Sequence, residues 1–267
     1  MKIFDCITYF NENLVLDLRF NILSEYIDYF VIIEANKTHS GKNKKIFFDL
    51  NRFKKFKNKI RYFYIKDMPE SKNPWELENF QRNQIMRGLY DAQPGDLIFI
   101  SDADEIPNLK AIKNFQNIKN KIYAFRQKCF YYKLNLLNKK NTPWHGTKLV
   151  KFAYLQKKNP QYFRSYKVKR YPFWRIDKIR NVEIIKNGGW HFSYLNNTKN
   201  IQLKLKSFAH QELNNKKNTA LANINYKINK QIDLFDNKVK LKKILINRYY
   251  PDYIKKNKLK FKNWIVK

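Results

Sequence analysis

Two short runs, Tyr29–Ala35 (YFVIIEA) and Asp96–Ser101 (DLIFIS), are apolar at nearly every position. A strand of that kind has to be covered on both faces, so the chain is restricted to a sheet with helices packed over it. The neighbouring segments meet that demand. Ile3–Phe10 alternates with aromatic and β-branched residues and predicts a first strand, and Ile60–Lys66 predicts another. Asn13–Ile27 spaces Leu14, Leu18, Ile22 and Tyr26 as a helix does, behind an asparagine suited to cap it. Pro74–Ala92 opens on proline, carries Glu76 and Glu78 near its start and a Phe80/Ile85/Leu89 stripe, and is stopped by Gln93-Pro94-Gly95. The expected fold class is α/β, with a mostly parallel central sheet flanked by helices. Beyond Pro107, Lys121–Leu137, Thr147–Leu155 and Val182–Ile185 predict strands. Thr198–Leu213 predicts a helix, and the Lys/Asn-rich part from residue 215 predicts helix in pieces.

Charge raises the first functional question. With 55 Lys+Arg against 22 Asp+Glu the formal net charge is +33, a balance that suits a nucleic acid or an anionic membrane. The lysines are spread along the chain, however, and Lys, Asn, Ile, Phe and Tyr are abundant while Gly (6) and Pro (8) are scarce. That is the drift of an A/T-rich coding sequence, and charge alone names no partner. Aromatic residues at 16% argue against disorder. No apolar run approaches the roughly 20 residues that span a bilayer. The strand-like start MKIFDCITYF shows no signal-peptide pattern, and Cys6 and Cys129 make no disulfide framework. The expectation is a soluble, cytoplasmic protein.

The minority charge is more informative. Ser101-Asp102-Ala103-Asp104-Glu105-Ile106-Pro107 sets three carboxylates directly after a buried strand, where parallel sheets place their ligands. A hard divalent cation, Mn²⁺ or Mg²⁺, sharing its remaining positions with water and a phosphate-bearing substrate would compensate them. The plainer alternative is a polar turn in which Asp102 caps a following helix. An EF-hand loop is excluded, because counting from Asp102 its glycine and glutamate positions hold Pro107 and Lys113.

Several stretches resemble glycosyltransferase family 17. They are Phe4-Asp5-Cys6 with Phe10-Asn11-Glu12, then Phe30 to Thr38 with Gly41, then Pro74-Trp75-Glu76 with Asn79-Phe80-Gln81-Arg82-Asn83, and Asp102 to Pro107. A second block, Gly189-Trp190-His191-Phe192-Ser193-Tyr194 followed by Lys206-Ser207-Phe208, matches in the same order. The resemblance implies a GT-A-like nucleotide-sugar-binding fold, an inverting mechanism and a UDP-sugar donor, N-acetylglucosamine being the sugar it suggests. On that reading residues 1–267 form one catalytic domain: a nucleotide-binding half (1–107), an acceptor and metal half (108–214) and a Lys-rich helical C-terminal extension (215–267). Vertebrate members carry an N-terminal membrane anchor, which this sequence is expected to lack.

A nucleotide-diphosphate sugar leaves as a diphosphate, and a metal that bridges its phosphates neutralises the charge that develops. Asp102 and Asp104 are the expected metal carboxylates, Asp104 as the direct ligand and Asp102 facing ribose or a metal-bound water. The resemblance brings in His191 as a metal or pyrophosphate contact, against the alternative of a hydrogen-bonded core histidine. Arg82 is the candidate for the pyrophosphate, or else a solvated helix arginine. Glu34 and Asn11, at strand ends, are the remaining donor-binding candidates, although Glu34 also reads as an ordinary strand-end acid. Inversion needs a general base. Glu212 is the first choice, with Glu105 and His210 as rivals, and an exposed helix-end acid is the alternative for Glu212. Trp75, Trp144, Trp174, Trp190, Tyr131, Tyr132 and Tyr194 could stack on an acceptor, a glycan or lipid-linked saccharide, or serve the core. The Lys238–Lys262 stretch suits peripheral contact with an anionic inner membrane face. Two other classes compete: a nucleic-acid-binding protein, for which no helix-turn-helix, zinc or RNP signature is present, and a metal-dependent phosphodiesterase, for which four scattered histidines fit poorly.

Overall fold

The apolar runs of the first hundred residues lie side by side. In the computed structural model, which describes residues 1–168 and 182–266, β1 (Ile3–Thr8), β2 (Tyr29–Ala35), β3 (Ile60–Ile65) and β4 (Leu97–Asp102) are parallel, in the order β3–β2–β1–β4. Helix α1 (Asn13–Leu23) follows β1, and α2 (Pro74–Asn83) precedes β4 and runs on into a 3-10 stretch at Gln84–Leu89. The Asn73 side chain accepts from the Trp75 amide to cap α2, and Pro74 opens it. The cap expected for α1 is not an asparagine: Glu12 takes that position, and its carboxylate accepts from the amides of Phe10 and Asn11.

The other half of the sheet reverses direction, so the central sheet is mixed rather than mostly parallel. After β5 (Glu105–Pro107) come β6 (Ile122–Tyr131), β7 (Leu136–Leu137) and β8 (Lys148–Lys151), with β8 antiparallel to both β4 and β6. No crossover helix separates β6 from β8, and strands joined without one must fold back antiparallel. Past Lys151 the expected strand turns into the short helix α3 (Phe152–Leu155), because the amides of Phe152 and Ala153 bond the carbonyls of Asp96 and Pro94. Helix α4 (Pro160–Ser165) follows.

Strand β9 (Val182–Ser193) carries straight through the glycine pair that breaks the predicted strand at Ile185. It runs parallel to β6 and antiparallel to β5. Gly189 has φ +127° at an irregularity in this ladder, and a Cβ there would run into the Ile106 carbonyl oxygen. Helix α5 (Thr198–Ser207) then stops short of its expected end; Glu212 belongs to a separate 3-10 turn, Gln211–Leu213. The C-terminal part holds α6 (Lys216–Thr219), α7 (Leu221–Lys230), the two-residue β10 (Lys242–Lys243) and α8 (Asp252–Lys256). It is helical in pieces, as expected, and Leu241, Tyr250, Ile254 and Phe261 bury it against the rest.

Alternating residues of β1 and β4 feed two core layers, Ile3, Ile7, Leu97 and Phe99 on one face and Phe4, Cys6, Ile98 and Ile100 on the other. Asp5 and Ser101 fall on the first face, and α1 supplies their partner. The helix buries Leu16, Arg19, Phe20 and Leu23, while Leu14, Ile22 and Tyr26 of the expected stripe are half-buried. The fully buried Arg19 donates to both oxygens of Asp5 (2.6 Å each), to Ser101 Oγ (2.6 Å), and to the carbonyls of Asp102 (3.2 Å), Ala103 (3.3 Å) and Glu105 (2.8 Å). Every arm of the guanidinium is used, which offsets the cost of burying it.

Arg19→Met leaves the Asp5 carboxylate buried and unpaired, and should lower the unfolding free energy by about 3–5 kcal/mol in urea titrations. The double variant Arg19→Met/Asp5→Leu, which leaves no stranded charge, should recover part of that loss.

Candidate active site

Beyond the carboxyl ends of β1 and β4 the structure opens into a cleft of about 670 Å³, lined by Thr8–Phe10, by α2, by the Asp102–Asp104 turn, by α4 and by the inward face of β6 and β9. A hollow of about 810 Å³ lies on the opposite face of β6 and β9, lined by Arg126, Lys128 and Trp190. Cys129 pairs with His191 and Lys128 with Trp190, so alternation along two strands serves two different surfaces. The carboxylates and the imidazole line the cleft, which makes it the candidate active site.

Asp102 and Asp104 face different groups. Asp102 Oδ1 accepts from Arg82 Nη1 (3.0 Å) and Oδ2 from Arg164 Nη2 (2.7 Å). Burial raises the Asp102 carboxyl pKa, but Arg164 and then Arg82 outweigh it and hold it at about 2. Asp104 accepts from Lys204 Nζ at 2.8 Å, and its Oδ1 lies 3.4 Å from His191 Nε2. Burial again raises the carboxyl, and Lys204 and His191 bring it far below the usual carboxylate range. For His191, burial disfavours the imidazolium, while Cys129, whose Sγ is 3.6 Å from Nδ1, and Asp104 favour it more strongly. The His191 ring leans on Trp144, with centroids 4.8 Å apart, and Trp144 Nε1 donates to Glu105 Oε1 (2.7 Å).

The expected residues divide sharply. Arg82 is buried (2% exposed) and lines the cleft; besides Asp102 it bonds Gln161 and Glu78, so it is no solvated helix arginine. Asp102 caps no helix, since the chain continues into β5. Glu105 is fully buried, with its oxygens taken by Trp144, Arg164 (2.6 Å) and the Asp102 amide (3.1 Å), which corrects its reading as a rival base. Gly146 leaves no room for a Cβ beside that carboxylate. Glu34 is also sealed: it accepts from Lys44, from the amides of Phe47 and Phe48 and from Tyr62, and pins the segment after β2 instead of lining the cleft. Asn11 lies beside Glu12 and Lys204 in a small adjoining pocket. Glu212 is exposed on its 3-10 turn and bonds His210, which does line the cleft. Trp75, Trp144, Tyr131 and Tyr194 line the cleft, Trp190 faces the opposite hollow, and Trp174 lies outside the described residues.

Arg19, Arg164 and Lys204 were not anticipated. Lys204 left a trace, falling three residues after Ile201 and next to Leu205, both on the buried stripe of α5. Among the described residues no cluster of three or more His, Cys, Asp and Glu could hold a metal. Asp104 and His191, both lining the cleft, are a pair that could share one cation, a hard oxygen beside an imidazole, which suits a metal that keeps water and phosphate as its other ligands.

This arrangement, fixed cations around acidic residues at the end of a parallel sheet, coincides with a family assignment. The sequence matches the model of glycosyltransferase family 17 over residues 1–241, and the chain belongs to that family. It is similar to the human and rat β-1,4-mannosyl-glycoprotein 4-β-N-acetylglucosaminyltransferases, each 27% identical over 116 residues, and to the mouse protein at 26%. The matched part is 40% of this chain and 22% of each of those proteins. Among solved structures, the Francisella tularensis 2-C-methyl-D-erythritol 4-phosphate cytidylyltransferase aligns at a TM-score of 0.34 and 12% identity, over 59% of this chain and 76% of that one.

Lys148, on β8 behind Glu105, is 1% exposed and donates to the carbonyls of His145 and Gly146. Burial, and next Arg164, push its ammonium down to about 7 from an ordinary 10.5. Between those values the unfolded chain holds the extra proton, so this group makes stability rise with pH. Melting temperatures measured from pH 7 to pH 9 should climb in the unaltered protein and climb less in Lys148→Met.

Proposed function

We propose that the chain is a metal-dependent inverting glycosyltransferase, built on a GT-A-like fold, that moves N-acetylglucosamine from a UDP-sugar to a glycan hydroxyl. The observation that carries the reading is the gathering of Arg82, Arg164, Lys204 and His191 around Asp102 and Asp104 at the mouth of β4. The family, and the N-acetylglucosaminyltransferases among its members, support the reaction class and the sugar.

Asp104 and His191 would hold a divalent cation, Mn²⁺ or Mg²⁺, with Asp102 beside it; such a cation supplies Lewis-acid neutralisation of the departing diphosphate. The chain's own residues do the rest. Arg82 and Arg164 are fixed guanidiniums that can pass from the Asp102 carboxylate to phosphate oxygens, since both anions suit the same planar donors. Lys204 adds a third charge. Glu34 acts on the donor side through Lys44, which it holds at the cleft, and Asn11 through its neighbour Glu12, which bonds Lys204 (3.2 Å). Exposed aromatic surface at Trp75 offers a face for a sugar ring.

The test is a panel of nucleotide sugars scored by thermal shift with and without Mn²⁺. UDP-N-acetylglucosamine should stabilise the protein only when Mn²⁺ is present, and Asp104→Asn should abolish the shift while leaving the metal-free melting temperature within a few degrees. Absence of any metal-dependent shift with UDP or UDP-sugars overturns the reading.

The setting is part of the proposal: a cytoplasmic protein resting its basic C-terminal face on an anionic membrane that carries a lipid-linked acceptor. No helix among the described residues is long and apolar enough to cross a membrane. Leu245 and Leu259, 78% and 86% exposed, stand among the lysines of residues 238–262, a pairing of apolar and basic groups that suits a membrane surface. Co-sedimentation with vesicles should rise with their anionic lipid content. Recovery that ignores lipid charge removes this part of the proposal.

A further inference from the structure

The transfer still lacks a group to take the acceptor's proton, and the cleft offers few. Glu12, Asp102 and Asp104 are tied to cations, as is Glu78, which bonds Arg82. His39 Nε2 is bonded to Gln81 (2.8 Å), and both nitrogens of His191 face partners. His210 differs. Its Nδ1 meets Glu212 Oε1 at 2.6 Å, and its Nε2 has no hydrogen-bond partner among the described residues. The carboxylate can only accept, so Nδ1 carries the hydrogen, and in the neutral imidazole that leaves the lone pair on Nε2. The contact holds the Glu212 carboxyl below its ordinary range, as expected of an ionised acceptor.

His210 is also well placed. It follows α5, whose Lys204 is bonded to Asp104, so one short stretch of chain joins the acidic turn to this imidazole. Its ring stands edge-on to Trp75, with centroids 4.6 Å apart at 86°, and Trp75 is 42% exposed on the cleft rim.

Resting on the transferase reading, we propose that His210 is the general base and that Glu212 is its positioning residue, with the acceptor sugar seated against Trp75. In the step, the acceptor oxygen forms a bond to the anomeric carbon and its proton passes to His210 Nε2. The bond from that carbon to the β-phosphate oxygen breaks, and its electron pair leaves with UDP. Charge and atoms balance without a further reactant. Glu212 holds the imidazole in the tautomer that can accept.

The experiment measures UDP release from UDP-N-acetylglucosamine, with Mn²⁺ and water as the acceptor, together with the donor's thermal shift. His210→Ala should lose about 10²- to 10⁴-fold in rate, keep the donor shift, and regain part of the rate with added imidazole. Glu212→Gln, which can still accept from Nδ1, should keep most of the rate, while Glu212→Leu should lose it in kcat with KM for the donor unchanged. A near-wild-type rate in His210→Ala, a loss that imidazole does not relieve, or a lost donor shift overturns the assignment. If the unaltered protein itself shows no Mn²⁺-dependent shift with the donor, the transferase reading fails first and the base assignment falls with it.

Discussion

The cleft depends on one buried arginine. Where β4 ends, the peptide carbonyls of Asp102, Ala103 and Glu105 turn inward, and left unpaired there they would be costly. Arg19 satisfies them while Asp5 and Ser101 balance the guanidinium, so helix, first strand and acidic turn become one unit. With its backbone fixed in this way, the turn directs Asp102 toward the arginines of α2 and α4, and Asp104 toward α5 and β9. The two carboxylates therefore face different partners.

A second constraint follows from the first. Carboxylates held in a half-enclosed cleft need compensation, and each has it: Arg82 and Arg164 for Asp102, Lys204 and His191 for Asp104, Arg82 for Glu78. These cations come from distant parts of the chain. Cations held in place by partners of their own are the kind that stabilise a developing negative charge strongly. In a chain of net charge +33 the excess lysine lies mostly on the surface, and the few acids decide where the cations matter.

The parallel half of the sheet was legible because its strands are short apolar or alternating runs and two of its three connections, Asn13–Ile27 and Pro74–Ala92, carry a helical pattern. The antiparallel half was not. The Gly188-Gly189 pair reads as a break, although it is the means by which β9 passes close to β5; the smooth run through Leu155 hides the turn that Asp96 and Pro94 impose on Phe152 and Ala153. The site divides in the same manner. Asp102, Asp104, Arg82 and His191 were accessible from strand ends and motif order. Glu34 and Glu105 looked equally promising at their own strand ends, but their partners, Lys44 and Tyr62 in one case and Trp144 and Arg164 in the other, are invisible in a linear reading.

The sequence by itself determined the α/β class, the placing of an acidic turn after a buried strand, and the family, because periodicity and motif order are local properties of the chain. Tertiary structure decided which acids face the cleft and which are sealed, brought Arg164 and Lys204 to the acidic turn, and set the His210–Glu212 pair on the cleft rim. Those outcomes rest on contacts between segments up to a hundred residues apart, such as Lys204 with Asp104. The energy of a charge is set by what surrounds it in space, and the order of residues alone does not contain that.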